Sequence, residues 1–294
     1  MINILLNYIR LGRPYYVMPA VAFALAGYMR YGIDQNSVLV AVMLCIVFLL
    51  LGMSCWAMNE IADIDSDARG KSNYKWGLYI SGGTGTLPSG IISVKSATIY
   101  VVLLSLSGLA LAATLGLKGL LLSTLFLTLG IAYSFKPLRF KTRGILGLAT
   151  VAIAYGVIAF LTGRIVGSGT LTSDTLIFSV ILTVAVFGFE GVAQLIDHSQ
   201  DMLNGEKTLS VSLGPQKARL VIALCQCIPA IIVMLLSNNS QPILKGVNIQ
   251  FLIPLLIISV VASICTATGW STSNIKIIRL LGVPLLSAFA FLIT

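Results

Sequence analysis

Long apolar runs separated by polar connections recur along the whole chain. A helix needs about 20 mostly apolar residues to cross a membrane, and nine segments fit that length: 14–32, 37–58, 95–117, 119–135, 144–166, 174–196, 218–236, 249–268 and 276–294. No polar stretch between them is long enough to fold by itself. The pattern predicts an all-α integral membrane protein whose nine transmembrane helices form a single domain over residues 1–294.

Composition agrees with this prediction. Of the 294 residues 57% are hydrophobic and only 10% are charged, whereas about 25% of the residues of a soluble domain are charged. The five cysteines fall within or beside the predicted spans, and their spacing matches no metal-ligand set. We therefore interpret the cysteines as small apolar packing residues.

The net charge of +9 is distributed unevenly between the two sides of the predicted bundle. Fifteen of the 19 Lys and Arg residues, Lys276 and Arg279 among them, fall on the side of the N-terminus, and four fall on the other: Arg30, Lys118, Arg164 and Lys245. Basic residues concentrate in cytoplasmic loops. We expect the protein to reside in the plasma (inner) membrane, with its N-terminus and the connections after spans 2, 4, 6 and 8 in the cytoplasm. The charge is explained by topology, so no nucleic acid partner is expected.

Seven of the ten acidic residues lie in two short segments, 59–67 and 197–206, which follow predicted spans 2 and 6. Both segments belong to the side expected to be cytoplasmic. Residues four apart share one face of a helix. The residues with that spacing are Asn59, Asp63 and Asp67 in the first segment, and Asp197, Asp201 and Gly205 in the second.

Carboxylates at the ends of apolar helices are costly unless a cation neutralises them. Mg²⁺ prefers carboxylate oxygens, and it can join them to a diphosphate that they would otherwise repel. A third polar segment, 133–143, follows span 4 on the same side and supplies bases. Metal and bases stabilise the charge that a departing diphosphate develops. Together with an apolar chamber, these features indicate an enzyme that acts on a polyprenyl diphosphate.

Three motifs in order make the chain resemble the UbiA-type intramembrane prenyltransferase superfamily over essentially its whole length. The residues that match are Asn59, Asp63 and Asp67; Tyr133, Ser134, Pro137, Arg139 and Lys141; and Asp197, Asp201, Gly205, Lys207 and Thr208. Arg13-Pro14 before the first span also matches. Many members carry an Arg in the stretch that corresponds to 82–90, and this chain does not. Lys71, Lys75 or backbone N–H groups of the glycines are candidate replacements.

The resemblance implies a bundle around a central cavity that opens sideways to the lipid, beneath a cytoplasmic cap of loops. It implies Mg²⁺ as the cofactor, held by Asn59, Asp63, Asp67, Asp197 and Asp201, with the four aspartates as the catalytic residues. We further assign substrate binding to Arg13, Asn59, Lys71, Tyr133, Arg139, Lys141, Gln194 and Lys207. Gln194 and Glu190 are four apart, so we place both at the acceptor end of the cavity.

The implied partners are membrane lipid, a prenyl diphosphate donor and an aromatic or other lipophilic acceptor, with a quinone precursor favoured. Two alternatives stay open. A terpene cyclase of the same superfamily would ionise the donor and close a ring without any acceptor. A membrane transporter would release no diphosphate, and acids near the membrane midplane would favour it.

Overall fold

Helices occupy each of the nine predicted segments, within the part of the chain that the structure describes. This computed structural model describes residues 2–29, 37–69, 73–75, 78–238, 249–269 and 272–292, so the prediction for Lys71 lies outside the described residues. The helices are α1 (Ile2–Gly12), α2 (Pro14–Met29), α3 (Ser37–Ala62), α4 (Ile64–Arg69), α5 (Val94–Thr114), α6 (Leu117–Ser134), α7 (Ile145–Ile153), α8 (Phe160–Ser168), α9 (Ser173–Ile196), α10 (His198–Asn204), α11 (Leu209–Leu213), α12 (Pro215–Asn238), α13 (Ile249–Thr268) and α14 (Thr272–Leu292).

Six helical units within the described residues are long and apolar enough to cross a membrane: α3, α5, α6, α7 with α8, α9 and α12. A π-helical turn, Ala154–Ala159, joins α7 to α8 without breaking the span. The protein is therefore an integral membrane protein, as predicted. Nine spans remain a prediction, since α2 has 16 residues and the described apolar part of α13 is Leu256–Thr268.

Helix α2 packs against α3, α8 and α14, and α9 packs against α12 and α14. Glycines permit the closest of these approaches. A Cβ atom at Gly163 of α8 would lie 1.8 Å from the carbonyl oxygen of Ala24, and one at Gly27 of α2 would lie 2.2 Å from that of Phe160. Small residues at such crossings are typical of membrane helices, where close packing replaces the hydrophobic effect as the source of stability.

The connections after α3, α6 and α9 contain short helices and strands, whereas the sequence predicted loops there. After α3 come α4 and an antiparallel pair, β1 (Asn73–Lys75) and β2 (Leu78–Ser81). After α6 come a 3₁₀ turn, Phe140–Thr142, and β3 (Arg143–Gly144), which pairs in parallel with β4 (Lys207–Thr208) beyond α10. The β3–β4 pair joins the segment after α6 to the segment after α9.

The last helix corrects one sequence-based expectation. The ninth span was predicted to begin at residue 276, and Arg279 was counted with the bases of the cytoplasmic side. Helix α14 begins at Thr272, and the Arg279 side chain is only 3% exposed. Arg279 forms an ion pair with Glu190 inside the bundle, so it is not an exposed surface base, and its assignment to the cytoplasmic side stays a prediction.

Candidate active site

A cavity of about 210 Å³ opens between the ends of α3, α6 and α9. Its polar wall includes both acidic segments, and Trp56, Phe126 and Tyr155 contribute aromatic wall farther along the helices. The sequence-predicted site residues that line the cavity are Arg13, Asn59, Asp63, Asp67, Tyr133, Lys141, Gln194, Asp197 and Asp201. The tertiary structure thus brings the two acidic segments and the basic segment to one cavity.

The first acidic segment keeps helical spacing although α3 ends at Ala62 and α4 begins at Ile64. The N–H of Asp63 donates to the Asn59 carbonyl at 3.0 Å, and the N–H of Asp67 donates to the Asp63 carbonyl at 2.8 Å. These are i to i−4 hydrogen bonds, so the three residues share one face. That face lines the cavity.

The second acidic segment is built in the same way. The N–H of Asp201 donates to the Asp197 carbonyl at 2.8 Å. Helix α10 ends at Asn204 and is capped by Gly205, whose φ of 69° is the left-handed conformation that glycine adopts without steric cost. The chain turns back through β4, and the Thr208 hydroxyl donates to Asp201 Oδ2 at 2.9 Å.

Two bases from the segment after α6 contact one acid on each side of the cavity. Lys141 Nζ lies 2.5 Å from Asp63 Oδ2 and 3.5 Å from Glu206 Oε2. The Arg139 guanidinium lies 3.2 Å from Asp63 Oδ1 and 3.3 Å from Glu206 Oε1. Burial lowers the pKa of Lys141, but the charges of Asp63 and Glu206 outweigh burial and hold that pKa above its usual range. Lys141 is therefore a permanent cation between the two acidic segments.

Two carboxyl groups of the cavity have a raised pKa. Burial, followed by repulsion from Glu60 and Asp63, raises the pKa of Asp67 to about 7. Burial also raises the pKa of Asp201 to about 7, where the hydrogen bond from Thr208 opposes the shift and the charge of Asp197 adds to it. Repulsion between neighbouring carboxylates contributes to both shifts, and a bound cation would relieve that repulsion.

The residues present fit a Mg²⁺ ion that also binds phosphate. Asn59 Oδ1 is buried and has no hydrogen-bond partner among the described residues, and it lies on the same face as Asp63 and Asp67. No three His, Cys, Asp or Glu side chains of the described part of the chain converge closely enough to hold an ion by themselves. Mg²⁺ is commonly bound by one or two carboxylates together with phosphate and water oxygens. The amide and carboxylate oxygens on this face are suitable ligands for such an ion.

Arg13 lines the cavity but is engaged by the protein. It forms a salt bridge with Glu60, its Nη2 donates to the Gly82 carbonyl at 2.6 Å, and its guanidinium lies 5.2 Å from the Trp56 ring centroid. Glu60 also accepts hydrogen bonds from the N–H and the hydroxyl of Thr84. Arg13 and Glu60 therefore fasten the segment after β2 to the end of α3, and sequence reasoning assigned no such role to Glu60.

Three other predicted site residues are placed differently. The side chain of Lys207 is exposed and is absent from the cavity lining, because β4 directs Thr208 inward and Lys207 outward. Arg139 lines a neighbouring opening and approaches the cavity only through its contacts with acids. Gln194 lines the cavity, and its Oε1 accepts a hydrogen bond from the N–H of Leu209 at 2.9 Å, so this amide also positions α11.

A further ion pair lines the cavity apart from the motif aspartates. Arg279 Nη1 donates to Glu190 Oε1 at 2.7 Å, and the Arg279 guanidinium lies 4.4 Å from the Tyr16 ring centroid. Sequence reasoning placed Glu190 at the cavity but missed Arg279. In the sequence, Arg279 is a basic residue near the edge of an apolar segment, and residues of this kind are ordinarily assigned to the membrane surface.

Comparison with solved structures establishes the fold. The chain superposes on a UbiA homologue from Archaeoglobus fulgidus bound to DMAPP and Mg²⁺ with a TM-score of 0.74, at 22% identity, over 98% of each chain. An apo UbiA homologue from Aeropyrum pernix K1 superposes with a TM-score of 0.72, at 19% identity, over 93% of this chain and 96% of the other.

Sequence comparison agrees. The chain is 25% identical to a digeranylgeranylglyceryl phosphate synthase of Sulfurisphaera tokodaii over 82% of this chain and 81% of the relative. It is 25% identical to the bacteriochlorophyll synthase 34 kDa chain of Chloroflexus aurantiacus over 66% of this chain and 59% of the relative. A sequence profile of the UbiA prenyltransferase family matches residues 17–272. This protein therefore belongs to the UbiA prenyltransferase family.

Proposed function

We propose that this enzyme transfers a prenyl group from a polyprenyl diphosphate to a lipophilic acceptor in a Mg²⁺-dependent reaction. The observation that carries the proposal is the shared cavity, in which two carboxylate segments and the base Lys141 lie beside an aromatic wall. The polar part suits a diphosphate with its metal, and the apolar part suits a hydrocarbon chain.

Asn59, Asp63, Asp67, Asp197 and Asp201 are the residues that we propose to hold Mg²⁺. When bound, the ion supplies positive charge that stabilises the departing diphosphate. Lys141 and Arg139 are held between the acidic segments. They would turn toward the diphosphate and neutralise the negative charge that the metal ion does not. Aromatic side chains such as Trp56 and Tyr155 exclude water from the allylic carbon, so that the acceptor is the nucleophile that reaches it.

An aromatic quinone precursor is the acceptor that we propose to test first. Tyr16, Trp56 and Tyr155 line the cavity and offer ring faces on which an aromatic acceptor can stack. The names of the relatives denote two other lipophilic products, a digeranylgeranylglyceryl phosphate and a bacteriochlorophyll. A glycerol phosphate and a chlorophyll precursor therefore belong in the same panel of acceptors.

We also propose that the cavity opens toward the cytoplasm and that the protein resides in the plasma (inner) membrane. The support is the distribution of Lys and Arg residues, of which the sequence assigns only Arg30, Lys118, Arg164 and Lys245 to the opposite side. The segments that bear the motif aspartates lie on the side that is rich in bases.

The decisive experiment measures diphosphate release by the purified protein in lipid, with farnesyl or geranylgeranyl diphosphate, with and without Mg²⁺ and with and without each acceptor. Asp63→Ala is the site variant. Asp174→Asn is a control, because Asp174 lies in the first turn of α9 and does not line the cavity.

Release that needs both Mg²⁺ and an acceptor, and that Asp63→Ala alone abolishes, would support the transferase. Metal-dependent release without acceptor, accompanied by a cyclic product, would replace the transferase with a terpene cyclase. Failure to release diphosphate from donors of any chain length would contradict the proposed chemistry.

A further inference from the structure

The ion pair between Glu190 and Arg279 lies in the cavity wall but belongs to neither acidic segment. Glu190 is seven residues before Asp197 on α9, which places it about 10 Å farther along the helix from the proposed metal site. Both side chains of the pair are at least nine-tenths buried, with exposed fractions of 8% and 3%. Both nevertheless line the same cavity as the motif aspartates.

A buried ion pair is weak support for stability, because desolvation of both charges offsets their attraction. Within a membrane protein such charges are rare and usually functional. Here the pair is also incompletely satisfied, since Arg279 Nε is buried and has no hydrogen-bond partner in the described part of the chain. The Tyr16 ring holds the guanidinium from one face, so its remaining donors are oriented in advance.

The donor does not explain this pair. The diphosphate of the donor is accounted for by the acidic segments and Lys141, and its hydrocarbon chain carries no polar group that could meet a carboxylate or a guanidinium. The other molecule in the cavity is the acceptor. An acceptor with a polar group would place that group against Glu190 and Arg279, while its apolar part contacts the aromatic wall.

The charges of the pair decide which polar group fits. Glu190 and Arg279 cancel each other, so an additional anion would be repelled by the carboxylate and would lose its hydration in a buried site. A hydroxyl group avoids both costs, because it can donate to the carboxylate and accept from the guanidinium. Hydrogen bonds to charged groups are about twice as strong as those between neutral groups.

Resting on the proposed function, we propose that Glu190 and Arg279 recognise the hydroxyl group of the acceptor and thereby set acceptor specificity. The acceptor class is a lipophilic molecule with an uncharged hydroxyl at its reactive end. A phenol and an alcohol share this chemistry, and both can be tested.

The test measures binding directly, so that it does not depend on turnover. The probes are 1-naphthol and a 1-O-alkylglycerol, each beside the derivative whose hydroxyls are methylated, together with 1-naphthoate as an anionic probe. Dissociation constants are measured by calorimetry in nanodiscs, with empty nanodiscs subtracted. The variants are Glu190→Gln and the double variant Glu190→Gln/Arg279→Gln, which leaves no unpaired buried charge; Asp174→Asn on the same helix is the control.

The wild-type protein should bind at least one hydroxyl probe about tenfold or more tightly than its methylated derivative, the range expected for a hydrogen bond to a charged group. Both cavity variants should lose that preference, and they should keep wild-type affinity for the donor diphosphate with Mg²⁺. Preference for naphthol alone identifies a phenolic acceptor, and preference for the alkylglycerol alone identifies an alcohol.

Equal affinity for hydroxyl and methylated probes in the wild type would overturn the inference. Tighter binding of naphthoate than of naphthol would also overturn it, because Arg279 would then serve an anion. Retained donor affinity in the double variant shows that it is folded. Absence of diphosphate release would contradict the proposed function separately, since the binding preference is measured without any reaction.

Discussion

At the scale of single residues, the Asp67 carboxylate packs directly against the backbone of Gly83. A Cβ atom at Gly83 would lie only 2.1 Å from Asp67 Oδ2, a distance at which one of the two groups must move. The segment that contains Gly83 is itself fastened to α3 by Glu60 and Thr84. Asp67 is therefore the group that would be displaced.

We predict that Gly83→Ala lowers Mg²⁺-dependent diphosphate release at least about tenfold. A misplacement of about 1 Å can reduce the rate of a catalysed step by about a hundredfold. The matched control is Gly85→Asn. Gly85 has a φ of 73°, and a Cβ atom at this position would meet no other atom within 4 Å, while Asn tolerates the left-handed conformation. Wild-type release by Gly83→Ala, or equal loss in both variants, would contradict the expected contact.

The pKa values of Asp67 and Asp201, each about 7, predict that Mg²⁺ binding releases protons. At pH 7 each group is about half protonated, and a metal binds the ionised form. The observed calorimetric enthalpy of Mg²⁺ binding in the presence of a prenyl diphosphate should therefore vary with the ionisation enthalpy of the buffer. Because the pKa values are raised, affinity should fall as pH drops below 7, and proton release should vanish by about pH 9. An enthalpy that is independent of buffer at pH 7 would refute this.

At the scale of secondary-structure elements, the short β3–β4 pair determines which bases reach the site. Arg143 pairs with Lys207 and Gly144 pairs with Thr208, so the segment after α6 runs beside the segment after α9. This pairing places Lys141 between Asp63 and Glu206. It also leaves the Lys207 side chain exposed, although both lysines belong to family motifs.

We predict opposite results for the two lysines. Lys141→Met should reduce diphosphate release by about a hundredfold or more, because it removes a buried charge that faces both acidic segments. Lys207→Met makes the same chemical change at an exposed position and should stay within about twofold of wild type. Release assays on the two variants in parallel decide the matter, and a large loss with Lys207→Met would show that Lys207 reaches the substrate.

At the scale of the whole molecule, the helices enclose the cavity while apolar side chains cover the outer faces of α5, α6 and α12, where residues such as Leu106, Leu121 and Leu235 are exposed. An apolar exterior with a polar cavity is the arrangement that lipid surroundings require. Helix packing through Gly27 and Gly163 holds α2 closely against α8.

The predicted topology places Lys118, in the first turn of α6, and Lys136, just after the end of that helix, on opposite sides of the membrane. Both side chains are exposed, so each can be replaced by cysteine in a variant that lacks the five native cysteines. A membrane-impermeant maleimide added to intact cells should label Lys118→Cys and spare Lys136→Cys, and permeabilised cells should show both. Labelling of Lys136→Cys in intact cells would reverse the proposed orientation.

Local patterns were sufficient for much of this protein. Apolar runs located the helices, since a span must satisfy its backbone hydrogen bonds internally and face lipid over its length. The spacing of Asn59, Asp63 and Asp67 located one face of the first acidic segment, because residues four apart are neighbours on any helix. Both predictions depend on interactions within a few residues of the chain.

Contacts between distant residues were decided only by the tertiary structure. Arg279 and Glu190 are 89 residues apart, and Arg13 and Glu60 are 47 apart, so no local periodicity connects them. Lys141 and Lys207 look equivalent as bases in motifs, and only the strand pairing and packing that bury one and expose the other distinguish them. The sequence by itself therefore determined the long apolar helices and the acidic faces. Packing determined which charges meet in the cavity, because the energy of a charge pair depends on distance and burial, which the linear chain does not contain.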